Sequence, residues 1–230
     1  MKKLTLLSLP VLCFAVVNAQ PTFSVHAGTQ ISKWRGNGSG ILDTLVEKAG
    51  DYLKQGTYTS FYVGANANFP IGEHFAVEPG LQYSQVGTSL ASNFVFKILK
   101  NYGINLGAKA ITHRIELPVL LKGEIAKGLW LVAGPQVNYS YNNKLQLKAG
   151  IFGINAINKK IDIDNGFESF SAAALGGLQY QFPIGIRVQA MYEYGLTSII
   201  KNNSASIYQN NFKIGMSIPL QYKQKEDDWY

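Results

Sequence analysis

Hydrophobic and polar residues alternate with a period of two in eight stretches of the chain, at roughly 22–33, 59–69, 74–84, 109–121, 129–141, 169–182, 186–195 and 209–220. That period places successive side chains on opposite faces of an extended backbone, so each stretch predicts a β-strand with one apolar and one polar face. In the second, Phe61, Val63, Ala65, Ala67 and Phe69 share one side, and Tyr62, Gly64, Asn66 and Asn68 share the other. The fifth sets Leu129, Leu131, Ala133, Pro135, Val137, Tyr139 and Tyr141 against Gln136, Asn138 and Ser140. The last sets Phe212, Ile214, Met216 and Ile218 against Asn211, Lys213 and Ser217.

The connections carry as much information as the strands. Short turns at Pro70-Ile71-Gly72, Glu124 to Gly128 and Pro183-Ile184-Gly185 alternate with long excursions near 35–58, 85–108, 142–168 and 196–208. Strict alternation puts every long loop at one end. The predicted fold is therefore all-β, an eight-stranded antiparallel up-and-down transmembrane β-barrel with long extracellular loops and short periplasmic turns. A strand of about 9 to 11 residues tilted near 45° crosses the apolar slab, which these stretches satisfy. Closure pairs every strand edge, as lipid requires. Helical periodicity occurs at Ile41, Leu42, Leu45, Val46, Ala49, Tyr52 and Leu53, and predicts a short amphipathic helix in the first long loop, packed on the rim or facing a membrane or partner. Alternation at Leu145, Leu147, Ile161 and Ile163 predicts strands that project past the membrane.

The same alternation fits a soluble, lipocalin-like carrier with its apolar face turned inward. Composition separates the two. Of 230 residues, 47% are hydrophobic and 15% charged, with a mean hydropathy of zero; soluble domains carry about 25% charge. Aromatic residues gather near predicted strand ends, at Phe61, Phe69, Phe75, Tyr83, Tyr139, Tyr141, Phe182 and Tyr194, the positions of a membrane-interface girdle. Lys2 and Lys3, the apolar stretch Leu4 to Val17, and Val17-Asn18-Ala19 predict an export signal over 1–19, leaving 20–230 as one outer-membrane barrel domain. Cys13 is the single cysteine and leaves with the signal, so the mature chain has neither a disulfide nor a thiolate. The formal charge of +7 includes Lys2 and Lys3 and is not clustered. It predicts no nucleic-acid partner and favours contact with the anionic headgroups of outer-membrane lipid.

With the polar face inward, Glu78, Arg114, Glu116, Lys122, Arg187, Glu193 and Lys213 look into the barrel together. Low dielectric requires them to pair or be hydrated, and one cross-barrel salt-bridge network is expected. It serves as the polar core of a narrow barrel or, alternatively, as a gated ion or proton path. Eight strands enclose just enough room for side chains, so an open nutrient pore is not expected.

Candidate chemistry is thin. His26 falls on the interior face of the first strand, as a possible partner for interior polar groups. His74 lies at a periplasmic turn and His113 on the lipid face near the outer rim. No two have ligand spacing, so neither a metal nor another cofactor is expected. No nucleophile, base and orienting acid are brought together by any motif, and no catalytic residue is assigned.

The stretch His113-Arg-Ile-Glu-Leu-Pro-Val-Leu-Leu-Lys122 follows Pro79-Gly-Leu-Gln-Tyr-Ser84 and precedes Gly134-Pro135 and Tyr194-Gly-Leu-Thr-Ser-Ile199. In this order they resemble the PorT-type outer-membrane β-barrel family of the Bacteroidota. The resemblance covers nearly the whole chain after the signal. It implies an outer-membrane barrel and supplies no catalytic residue; some relatives are accessory parts of a gliding-associated protein secretion system, while most have no assigned role. Partners in secretion or envelope assembly are thus implied, and a ligand-binding or adhesive role for the loops is the alternative. The small-molecule ligand, if any, is unknown. The chain departs from such barrels at its end, where alternation fades at Leu220 and leaves Tyr222 or Tyr230 as the terminal aromatic. Pro118, lacking an amide proton, predicts a bulge or an open hydrogen bond in its strand.

Overall fold

The computed structural model describes residues 20–36, 53–92, 104–151, 154–162, 166–201 and 206–220. The expected export signal, nearly all of the expected helix at 41–53 and the tail after Leu220 lie outside the described residues.

Among the described residues there are ten strands: β1 (Thr22–Arg35), β2 (Leu53–Gly56), β3 (Tyr58–Ile71), β4 (Phe75–Ser92), β5 (Ile104–Ala126), β6 (Leu129–Ile151), β7 (Ile154–Asp162), β8 (Phe170–Gln181), β9 (Arg187–Gly195) and β10 (Tyr208–Pro219). Eight of them close a ring in the order β1, β3, β4, β5, β6, β8, β9, β10, each antiparallel to its neighbours. The seam joins β1 to β10, from Ser24 opposite Pro219 to Arg35 opposite Tyr208. The two remaining strands extend staves of the ring: β2 precedes β3 and pairs β4, while β7 precedes β8 and pairs β6. The molecule is an eight-stranded antiparallel closed β-barrel, as the alternation predicts.

Each short turn contains a glycine in the left-handed region, Gly72 at φ 70°, Gly128 at 76° and Gly185 at 82°. Only a residue without a β-carbon adopts that conformation at no steric cost, which lets the chain reverse within a few residues. By the rule for such barrels this end faces the periplasm.

The other end is uneven. At 23 residues each, β5 and β6 are about twice the length that crosses a membrane. Their surplus lies at the long-loop end, where β4 and β7 flank them. One wall therefore rises above the rest of the rim. The alternation places β4, β5 and β6 at roughly 74–84, 109–121 and 129–141, and the further alternation at Leu145, Leu147 and Ile161 predicts the projection that β6 and β7 make; Ile163 lies outside the described residues. The alternation does not predict the extensions of β4 past 84 and of β5 before 109, both of which fall in the excursion near 85–108.

Burial alternates with the same period of two. Outward residues include Phe61, Val63, Leu81, Leu117, Val119, Leu121, Leu131 and Val137, all 45–57% exposed, whereas inward residues of the same strands are largely buried and polar. Apolar outside and polar inside is the reverse of a water-soluble carrier, whose apolar side chains fill the bore. The lipocalin-like arrangement is thereby excluded.

The ladder beside Pro118 is open, without a shift of register: pairing of β4 with β5 lapses between Pro79–Val119 and Gln82–Glu116. The register shifts of β5 against β6 lie elsewhere, at His113/Arg114 and Glu124/Ala126.

Candidate functional site

The bore is the place where chemistry-bearing side chains converge. Strand parity points Glu78 inward from β4, Arg114, Glu116 and Lys122 from β5, Arg187 and Glu193 from β9, and Lys213 from β10. All seven are buried. They form two clusters at different heights, whereas their shared inward parity predicts a single network.

The outer cluster holds two cations and two anions. Arg114 Nε donates to Glu116 Oε1 at 2.6 Å, and Arg114 Nη2 reaches both Glu193 oxygens at 2.7 and 2.8 Å. Lys213 Nζ lies 2.6 Å from Glu116 Oε2 and 2.8 Å from Glu193 Oε2. Ser84 and Gln82 also donate to Glu116. Formal charge cancels within the group, and each carboxylate has more than one donor. Low dielectric tolerates a buried ion under those conditions.

The inner cluster, nearer the short turns, holds two cations and one anion. Glu78 Oε2 accepts from Lys122 Nζ at 2.9 Å and from Arg187 Nη1 at 2.6 Å, while Asn66 donates to Glu78 Oε1 at 2.6 Å. Arg187 Nη2 donates to Ser217 Oγ at 3.2 Å and also to Ser24 Oγ. Lys122 Nζ stands 5.4 Å from the centroid of the Trp130 ring, so the uncompensated positive charge is met by an aromatic face.

An apolar layer explains the division. Leu120, Val132, Leu175 and Met191 pack together inside the bore, with Trp130 against them. On β5, Leu120 lies between Glu116 and Lys122; on β9, Met191 lies between Arg187 and Glu193. These four side chains occupy inward positions, on the face that the alternation marks as polar.

His26 points inward as expected, its Nε2 2.9 Å from Gln82 Oε1. His113 is on the outer surface, with Nδ1 2.6 Å from the Tyr83 hydroxyl. His74 sits in the first short turn, 3.5 Å from Glu124 Oε2. The three are thus dispersed, and among the described residues no three His, Cys, Asp or Glu side chains are grouped to hold a metal.

Above the outer cluster the mouth is capped. Trp34, Ala110 and Ile207 are buried together, with Phe167, Ile199 and Ile200 packed against them. The caps come from the excursions before β8 and after β9, bridged at Phe167 and Ile200. Their approach is not periodic, so alternation does not reveal it. Between cap and turns, the cavity lined by His26, Asn66, Glu78 and Gln136 measures about 20 Å³, and that lined by Thr112, Arg114 and Asn143 about 10 Å³. Spaces of this size suit single waters.

Tyr62 crosses the bore beside the seam. It is fully buried, accepts a hydrogen bond from Gln189 Nε2 at 3.2 Å, and has Lys213 Nζ 5.6 Å from its ring centroid. Gly28 and Gly215 face each other across β1 and β10. A β-carbon at either would collide with the Tyr62 hydroxyl. Their lack of side chains makes room for the ring.

A closed, inside-out barrel with a filled polar bore defines the class: a membrane-spanning β-barrel of the outer-membrane type. The family described as an outer membrane protein beta-barrel domain matches residues 16–201, and the chain belongs to that family. No curated protein matches the chain. Among solved structures, it is similar to Ail, the attachment invasion locus protein of Yersinia pestis, in complex with the heparin analogue sucrose octasulfate. Identity there is 14%, with 86% of this chain and 97% of that one covered and a TM-score of 0.47. Neisserial surface protein A is 11% identical, over 86% of this chain and 98% of that chain, with a TM-score of 0.44. OprG from Pseudomonas aeruginosa is 12% identical, over 89% and 98%, with a TM-score of 0.40.

Proposed function

We propose that the protein is a non-enzymatic integral barrel of the outer membrane that anchors a partner at the cell surface, as an accessory of protein secretion or envelope assembly. The single observation that carries this reading is the contrast between bore and rim. Paired charges, an apolar layer and an apolar cap fill the inside, while one wall, built on β4, β5, β6 and β7, extends well beyond what spanning requires. A filled bore supports an anchor rather than a conduit, and a raised, hydrogen-bonded wall offers a surface for docking. The resemblance to PorT-type barrels supports secretion as the process served.

Deletion of the gene, scored for cargo left inside the cell, tests the proposal. Export is expected to fall and to be restored by the full chain, but not by a variant in which residues 144–162 are replaced by a short turn. The truncated barrel must still migrate as a heat-modifiable band. Unchanged export in the deletion strain, with saturable uptake of a small ligand by the purified protein, would overturn it in favour of a loop-based binding module.

A further inference from the structure

The outer end of β1 breaks the apolar character of the lipid-facing wall. Phe23, Val25 and Ile31 face outward, and two residues beyond Ile31 the same face carries Lys33 and then Arg35, about 7 Å apart on an extended strand. Arg35 is held in place. Its guanidinium carbon lies 4.3 Å from the centroid of the Tyr194 ring and 4.7 Å from that of Tyr208, and Nη2 donates to Gly195 O at 3.1 Å. Rings cover the guanidinium while one in-plane N–H is used, which leaves further in-plane donors available. Among the described residues neither Lys33 nor Arg35 forms an ion pair. Both line a groove of about 520 Å³, whose other walls include Ile31, Tyr192 and Phe212. Asn210, opposite Lys33, is tied to Tyr192 Oη at 3.0 Å and to the Gly195 amide at 3.1 Å, which fixes the floor.

We propose that this groove binds the phosphorylated headgroup of an outer-leaflet lipid. The phosphate oxygens accept from the in-plane donors of Arg35 and from the Lys33 ammonium. The acyl chains run down over Ile31 and Phe212. Charge complementarity selects a phosphate, and continuity of the groove with the apolar wall selects one borne by a lipid. Clamping Arg35 in advance lowers the ordering cost of capturing the anion. The inference rests on the outer-membrane placement of the barrel and is independent of any role in secretion.

The test uses the full-length barrel purified in neutral detergent, with lipid retention read by native mass spectrometry. Diphosphorylated lipid A, its dephosphorylated form and inorganic phosphate are the probes. Saturable binding of lipid A is expected, weakened about tenfold or more in a variant carrying Lys33→Gln and Arg35→Gln, on the scale of lost charge-assisted hydrogen bonds. Tyr194→Leu keeps both charges and removes one side of the clamp, so an intermediate loss is expected from it. Heat-modifiable migration verifies that each variant is folded. Equal affinity in the double variant, or equal affinity for dephosphorylated lipid, would overturn the site. Displacement of lipid A by an equimolar amount of inorganic phosphate would overturn the lipid as the source. Export failure with lipid binding intact bears only on the secretion role.

Discussion

Lys213 Nζ lies 2.6 Å from Glu116 Oε2, a contact between residues 97 apart in sequence and on opposite staves of the ring, β10 and β5. Glu78 and Arg187 span the bore in the same way lower down, from β4 to β9 at 2.6 Å. Two cross-braces at different heights join opposite walls, so the width of the barrel is set partly by ion pairs and partly by the apolar layer between them. This arrangement makes stability depend on charge balance within each cluster separately.

In the outer cluster, Lys213→Met leaves Glu116 and Glu193 to share Arg114 alone. A buried carboxylate then lacks its counter-charge, and unfolding free energy is expected to fall by about 3 to 5 kcal/mol. Combining Lys213→Met with Glu116→Gln restores neutrality, so the double variant should lose less than the sum of the two single changes. Urea unfolding in lipid vesicles, followed by tryptophan fluorescence, measures both.

The inner cluster predicts an asymmetry, because it contains two cations and one anion. Lys122→Met leaves the Glu78–Arg187 pair neutral and is expected to be the milder change. Glu78→Gln leaves two buried cations and should destabilise by about 3 to 5 kcal/mol. If the two variants unfold at the same denaturant concentration, the assignment of net charge to this cluster is wrong.

Outside, Leu117 sits midway along the outward-facing series of β5 and is about half exposed. Leu117→Arg places a charge at the lipid midplane, and a loss of about 2 to 4 kcal/mol is expected, as for basic residues at that depth in other barrels. The same change at Ile125, by the short turn, should cost about 0 to 1 kcal/mol. Similar losses at both positions would mean that depth along this face is misjudged.

How far this architecture is legible in the sequence depends on what period two encodes. It encodes face, so the eight staves, the outward set around Val63 and Leu117, and the inward parity of all seven charged residues can be read directly. It does not encode height. Leu120 and Met191 share the inward parity of Glu116 and Glu193, and only the register across the ring shows that they form an apolar layer separating two clusters. Nor does it encode contacts made by non-periodic excursions, such as Phe167 against Trp34, whose ring centroids are 5.9 Å apart. Part of the surplus length is legible too: alternation at Leu145, Leu147 and Ile161 marks the extension of β6 and β7, whereas the extensions of β4 past 84 and of β5 before 109 fall in a stretch that reads as a long loop.

Tyr62 supplies a steric prediction. Gly215→Val puts two methyl groups where the Tyr62 hydroxyl lies, which forces the ring to move or the seam between β1 and β10 to open. Overpacking of this kind costs about 1 to 3 kcal/mol. Tyr62→Phe in the same chain removes the clashing oxygen and should recover part of that loss in the same unfolding assay.

Apolar side chains face lipid while the polar and charged ones fill the bore. Single cysteines carrying a nitroxide at positions 117 to 121 test this arrangement most directly, in barrels refolded into vesicles from the chain beginning at Gln20, where no native cysteine remains. Labels at Leu117, Val119 and Leu121 should be open to dissolved oxygen and closed to a water-soluble nickel chelate. Labels at Pro118 and Leu120 should be immobile and closed to both. Oxygen accessibility with the opposite phase, or chelate accessibility at the odd positions, would contradict the account.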